Sequence, residues 1–436
     1  MNNPTVNESE NRTNAVGAGD DSAAPDLQEL QRQVNEIVST VPVVDLHTHL
    51  FPPQFGEMNL WGIDELLNYH YLIAELFRYS ATTAPAEFWR MEKQAQSDLI
   101  WRTLFVENTP LSQATRGVTA VLSALGLNTR AADLSEAREF FRTQKAEDYL
   151  EQVLRIAHVS DIVMTNDPLD ETEIKVWKSD EPLDSRFHAA LRLDRLLNGW
   201  SEAAPLINKQ DYQVSANLDA RVISEARRFL DDWIAKMKPL YLGVSLPDDF
   251  TYPEESVRGK LIREVVLPTC RAHGLSFALM IGVRRRVNPA LKLAGDGLGR
   301  ADVSALERIC AENPDVKFLA TFLVRENQHE LCVSSRKFAN LMPFGCWWFL
   351  NNNSIIAEIT RERFELLGTS FIPQHSDARI LDQLIYKWHH SRRVIADALF
   401  ESYAALWHDG RRVSRAEIER DAEKLFSGNF RNWVGL

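Results

Sequence analysis

Eight short apolar segments recur along the chain, separated by stretches of helical character. That recurrence restricts the architecture more than any other feature. The segments are VVDLHTH (43–49), DIVMTND (161–167), AALRLD (189–194), YLGVSL (241–246), SFALMIGV (276–283), VKFLATFLV (316–324), LMPFGCWWF (341–349) and FIPQHSD (371–377). Most are apolar on both faces rather than alternating, so they read as parallel strands covered by helices on both sides. Eight such strands fit an α/β fold of the (β/α)8 TIM-barrel type, with an open doubly wound sheet as the alternative.

The gap between the first two segments exceeds a hundred residues and is helical in period, over about 63–156. In a barrel an insertion after the first strand falls on the catalytic face, where it can act as a lid. Residues 1–25 are rich in Asn, Ser, Thr, Gly and Asp and bury almost nothing, which predicts a disordered tail. Residues 26–436 then form one barrel domain. It opens with a helix from Leu27 to about Thr40 and ends in a charged amphipathic stretch over 391–426.

The net charge of −12 argues against nucleic acid or an anionic membrane as partner. An anionic substrate would therefore need a local cluster of arginines. Cys270, Cys310, Cys332 and Cys346 form no C-x-x-C pair and read as buried free thiols of a reducing compartment. No apolar run is long enough to span a bilayer, and the N-terminus lacks a signal-peptide pattern. A cytoplasmic protein is expected.

Chemistry concentrates at the strand ends. His47 and His49 stand at i and i+2 where the first segment runs out, so they share a face, with Asp45 on the same side by strand periodicity. Two neutral imidazoles there can reach one divalent ion. In a closed barrel the eighth strand lies beside the first, so Asp377 can supply a third, anionic ligand; its alternative role is a helix N-cap. The fourth, fifth and sixth segments end in SLPDDF, IGVRRR and LVRENQ, without a lysine or histidine at a ligand position. That leaves a mononuclear site rather than a lysine-bridged pair of ions.

Arg192 lies inside an apolar strand, Arg284 and Arg285 follow the fifth, and Arg379 follows Asp377 by two. A buried guanidinium needs an anionic partner. Asp167, Asp194 or Asp377 could serve internally; a substrate carboxylate held bidentately is the functional reading. Of Trp347 and Trp348, one can face the site while its neighbour packs under a helix, or both belong to the core. His70 and Tyr71, in NYHYL, fit a helix interior or a site wall.

In order along the chain, DLHTHL, YHYL, TNDPLD, ALRLD, GVRRRVNPALKLAGDGLG, GCWWFLNNN and SDAR resemble the uronate isomerase (glucuronate isomerase) family of the amidohydrolase superfamily, from about Val41 onward. The resemblance implies a metal-dependent-hydrolase-type barrel with one divalent ion, usually zinc. It implies aldose–ketose isomerisation of D-glucuronate to D-fructuronate and of D-galacturonate to D-tagaturonate, through a cis-enediol. By position it makes His47, His49 and Asp377 the metal ligands. His70, Tyr71, Arg192, Arg379 and one of the Trp347/Trp348 pair match the substrate-contacting set, and Arg284 falls in the matching fifth-strand motif. Asp377, or Tyr71 acidified by Arg192 or Arg379, would move the proton. Ala278 and Ala378 depart from the family pattern, which often has a histidine and a serine there. The partner implied is a small sugar acid, with room for a homo-oligomer. A mononuclear hydrolase of the same superfamily and a non-catalytic sugar-acid binder are the rival readings.

Overall fold

The computed structural model describes residues 26–80, 83–179 and 181–436; the tail over 1–25 lies outside the described residues. Seven strands run parallel in one curled sheet: β1 (Val43–Thr48), β2 (Val159–Asn166), β3 (Phe187–Arg192), β4 (Tyr241–Pro247), β5 (Ser276–Arg284), β7 (Phe318–Phe322) and β8 (Leu341–Pro343). They neighbour one another in that order, while β6 (Gly297–Leu298) is a two-residue antiparallel addition to β5. Seven of the eight apolar segments thus contain a sheet strand.

The eighth behaves differently. Residues 371–378 form no ladder beyond a single bridge between Phe344 and Ile372. They still close the sheet into a barrel. On one side Ile372 N–H donates to Pro343 O at 3.1 Å and Gly345 N–H to Ile372 O at 2.9 Å. On the other, Asp377 N–H donates to His47 O at 3.1 Å and His49 N–H to Ala378 O at 2.7 Å. Pro373 has no N–H to give, and Asp377 adopts φ 49°, so the segment cannot remain extended. The closing element is a bent strap rather than a strand.

Side chains of alternating parity fill the barrel: Val44, Leu46, Val163, Ala190, Tyr241, Met280 and Leu319 belong to one buried cluster. The opposite parity of the same strands, such as Ile162, Met164, Leu191 and Leu242, packs outward under helices. This two-sided burial explains the continuous apolar runs. The helix Leu27–Thr40 starts on Asp26, whose carboxylate caps Glu29 N–H, and packs against the long helix Gln383–His408. The latter starts well before residue 391, directly after the closing strap. Between β1 and β2 run helices from Ile63–Leu67 to Ala146–Ala157. All four cysteines are buried and free, and among the described residues no helix is long and apolar enough to cross a membrane.

Candidate active site

A break in β1 register aims the first histidine. Asp45 pairs with Ile162 and Thr48 with Met164, so three steps on β1 match two on β2. This bulge changes the facing of residues beyond it. Val44 and Leu46 face the barrel interior, and so does His47, whereas Asp45 points the other way: its carboxylate accepts from Trp388 Nε1 at 2.9 Å and from Ser376 N–H at 3.0 Å. The expectation that Asp45 shares the histidine face is therefore corrected; periodicity of two fails across a bulge.

The strap brings the third group. Asp377 Oδ1 lies 3.3 Å from His49 Nε2 and 3.9 Å from His47 Nε2. The candidate ligand atoms of the three residues all lie within 4.8 Å of one another. Two hydroxyls decide where the imidazole protons are. Tyr241 OH donates to Leu46 O at 2.9 Å, so at 3.0 Å from His47 Nδ1 it can only accept. Thr165 Oγ1 donates to Thr48 O at 2.9 Å and accepts from His49 Nδ1 at 2.7 Å. Both Nε2 atoms then present lone pairs towards a carboxylate.

Burial holds the His47 imidazolium down to about 3 and that of His49 to about 4, so both rings are neutral near pH 7. Burial alone would raise the Asp377 carboxyl, and the nearby Lys387 ammonium acts in the opposite direction. Asp377 Oδ1 is buried without a hydrogen-bond partner. Two lone pairs and an orphaned anionic oxygen converging on one point repel one another unless a cation lies among them. The donor set therefore fits one divalent metal ion. Lys387 Nζ, buried beneath the strap, donates to Ser376 O at 2.6 Å and Asp377 O at 3.3 Å, and burial lowers its ammonium to about 8.

The other wall is aromatic and cationic. His70 and Tyr71 open the helix His70–Tyr79, and the His70 ring lies 4.1 Å from Tyr69, 4.5 Å from Tyr71 and 5.9 Å from Trp348. Nε2 of His70, OH of Tyr69 and Nε1 of Trp348 are all buried and unpartnered. Trp347 and Trp348 both join the interior cluster, because the chain has left β8 at Pro343 and strand alternation no longer separates them. Burial raises the Tyr71 phenol well above its ordinary value, and the Arg379 charge, the weakest of the contributions, does not reverse this. The expected acidified phenol is thus corrected: the Tyr71 phenol keeps its proton at neutral pH.

Arg192 follows Ala190 in parity and lines the cavity beside His47 and His49, yet its guanidinium is tied to Asp194, at 3.0 and 3.2 Å. Arg379 Nε is buried without a partner. Arg284 is not brought to this group: it is largely exposed and pairs with Asp248 at 2.5 Å. Its neighbour Arg285 turns to Asp296 at 2.6 Å and lies 5.6 Å from the Trp348 ring centroid.

No protein-family model and no curated protein matches the chain. Solved structures do. A uronate isomerase from Bacillus halodurans C-125 is 50% identical, with TM-score 0.92, over 95% of this chain and 98% of that one. The chain belongs to the uronate isomerase family. A uronate isomerase from Thermotoga maritima (TM-score 0.75, over 93% of this chain and 97% of that one) and a glucuronate isomerase from Caulobacter crescentus (TM-score 0.74, over 96% and 97%) are each 14% identical and share the fold.

Two departures from the uronate isomerase pattern have locations. Ala278 is buried in the barrel interior opposite Gly243, and Ala378 is buried where the strap meets His49 N–H. Several site-lining groups escaped the sequence reading: Thr165, Tyr241, Tyr69 and Lys387. The available signal for the first two was a hydroxyl at interior parity in an otherwise apolar strand. Lys387 lay in a helical run with nothing to mark it.

Proposed function

We propose that the protein interconverts an aldohexuronate and its 2-keto isomer, D-glucuronate with D-fructuronate and D-galacturonate with D-tagaturonate, as a cytoplasmic enzyme. The observation that carries the reading is the convergence of His47, His49 and Asp377 facing an unpaired Arg379, in a chain half identical to a uronate isomerase.

His47, His49 and Asp377 would hold one divalent ion, proposed as zinc from the nitrogen-rich donor set. When bound, it would supply positive charge to polarise the substrate's C1 and C2 oxygens. The protein's own groups do the rest. Isomerisation moves the C2 proton to C1 while O1 gains a proton and O2 loses one. The Asp377 carboxylate, anionic at neutral pH, takes the proton from C2 and returns it to C1. Tyr71, neutral, donates to O1 and recovers a proton from O2. Arg379 and Arg192 anchor the substrate carboxylate or stabilise the enediolate. His70 and Trp348, with Trp347 beneath, wall the sugar.

The test is the purified protein with glucuronate or galacturonate, product read by a coupled ketouronate reductase, with and without chelator. Asp377→Asn should lower kcat by at least ~100-fold, the scale of an acid–base group; retained activity removes Asp377 from the mechanism. Loss of the aldehyde proton signal without a change in mass separates isomerase from hydrolase. Thermal stabilisation by glucuronate with no product would mark a non-catalytic binder.

A further inference from the structure

We propose that Tyr241 and Thr165 are positioning residues that lock His47 and His49 as Nδ1–H tautomers and thereby set the affinity of the site for its metal ion; this rests on the metal reading above. The two come from different strands, β4 and β2, yet both reach β1 and repeat one device. Each hydroxyl gives its only proton to the β1 carbonyl just before the histidine it serves, Leu46 O for Tyr241 and Thr48 O for Thr165. Each then accepts from that histidine's Nδ1. An imidazole in water exchanges freely between tautomers, and a metal can bind Nε2 only when the proton is elsewhere. Here the backbone of β1 makes the choice, relayed through one hydroxyl per ring.

Tyr241 needs room to do this, since it must cross the barrel from β4 to β1. Gly243 and Ala278 provide it. A Cβ added at Gly243 would lie 3.2 Å from Tyr241 Cε2 and 3.8 Å from Ala278 Cβ. Two small interior residues, one on each of two neighbouring strands, thus leave the lane that the phenol ring occupies. Thr165 needs no such lane, because β2 adjoins β1 and its side chain reaches across one ladder spacing. Neither hydroxyl lies among the three candidate ligands, so their effect is on the rings' protons and orientation.

The experiment has two arms. In the first, ring 15N shifts of metal-free wild-type protein report the tautomers of His47 and His49. Protons at Nδ1 are expected, and a proton at Nε2 of either ring overturns the proposal. In the second, zinc affinity is measured by competition with a chelating dye. Thr165→Val and Tyr241→Phe should each weaken binding by about 10- to 100-fold, and Thr165→Ser should restore it to within a few-fold. Wild-type binding unchanged in both the Val and Phe variants overturns the proposal. Failure of wild-type protein to bind zinc overturns the metal reading instead, and the tautomer arm still decides the inference.

Discussion

Arg192 and Arg379 both project toward the same centre, but one is held and the other is free. Arg192 arrives on a regular strand and is engaged by Asp194 two residues on, through two of its nitrogens. The Asp194 charge raises the guanidinium's proton affinity further, and Arg192 in turn lowers the Asp194 carboxyl. Arg379 arrives on the bent strap. Its backbone N–H is satisfied by Gln383 Oε1 at 2.9 Å, while Nε is buried with nothing to bond. A guanidinium that already has a carboxylate gains less from a second, because an incoming anion must share it and meets the first carboxylate's repulsion. A guanidinium with no carboxylate partner, whose buried Nε has no acceptor, gains the full charge-assisted bond on binding. On the proposed reading the difference ranks the two: Arg379 would be the main anion-holding group, and Arg192 the weaker one because Asp194 largely balances its charge.

The largest effect should follow from removing the free arginine. Arg379→Met is expected to lower kcat/KM for glucuronate by at least ~100-fold, the scale of a lost charge-stabilising donor in a water-poor site. An Arg379→Met enzyme within a few-fold of wild type would break the ranking outright. Arg192→Met should cost less, about 10-fold and mostly in KM, because the group it removes is already shared. An equal or greater loss for Arg192, measured under the same conditions, would reverse the comparison.

That contrast also marks how far the sequence alone could reach. The eight apolar runs revealed the barrel because interior and exterior burial are written directly into residue type. His47, His49 and Asp377 were legible because strand ends and barrel closure bring a fixed pair of segments together. Asp45 was misjudged, since a one-residue bulge at positions 46–47 leaves no compositional trace yet reverses facing. The strap over 371–378 read as a strand because its apolar start is strand-like; its bend depends on Pro373 and on the left-handed backbone of Asp377, a conformation uncommon outside glycine but one that aspartate tolerates better than most residues. Gly345 was equally silent: a Cβ there would stand 1.8 Å from His375 Nδ1, a constraint visible only once the strap is in place. Asp194 could be named as one possible partner for Arg192, but the freedom of Arg379 is a property of everything around it. Thr165 and Tyr241 were hidden for the same reason, because a hydroxyl's role depends on which carbonyl and which ring its strand neighbours supply.

The smallest predicted effect sharpens the comparison most. If Asp194 restrains Arg192, then Asp194→Asn should release that guanidinium for substrate while keeping the side chain's shape. KM for a uronate should fall by about 3-fold, a modest gain because the freed group is partly solvent-exposed and its charge is screened. Stability should move the opposite way. Arg192 would lose its ionic partner in the absence of substrate, so the apparent Tm should drop by about 1 °C, corresponding to about 1 kcal/mol, and saturating uronate should recover more of it than in wild type. The double variant Asp194→Asn with Arg192→Met closes the cycle: with no guanidinium to release, the substitution at 194 should no longer lower KM. A KM that rises in the single Asp194→Asn variant would mean that Asp194 holds Arg192 in its working position, and the two arginines would then share the anion more evenly than their partners suggest.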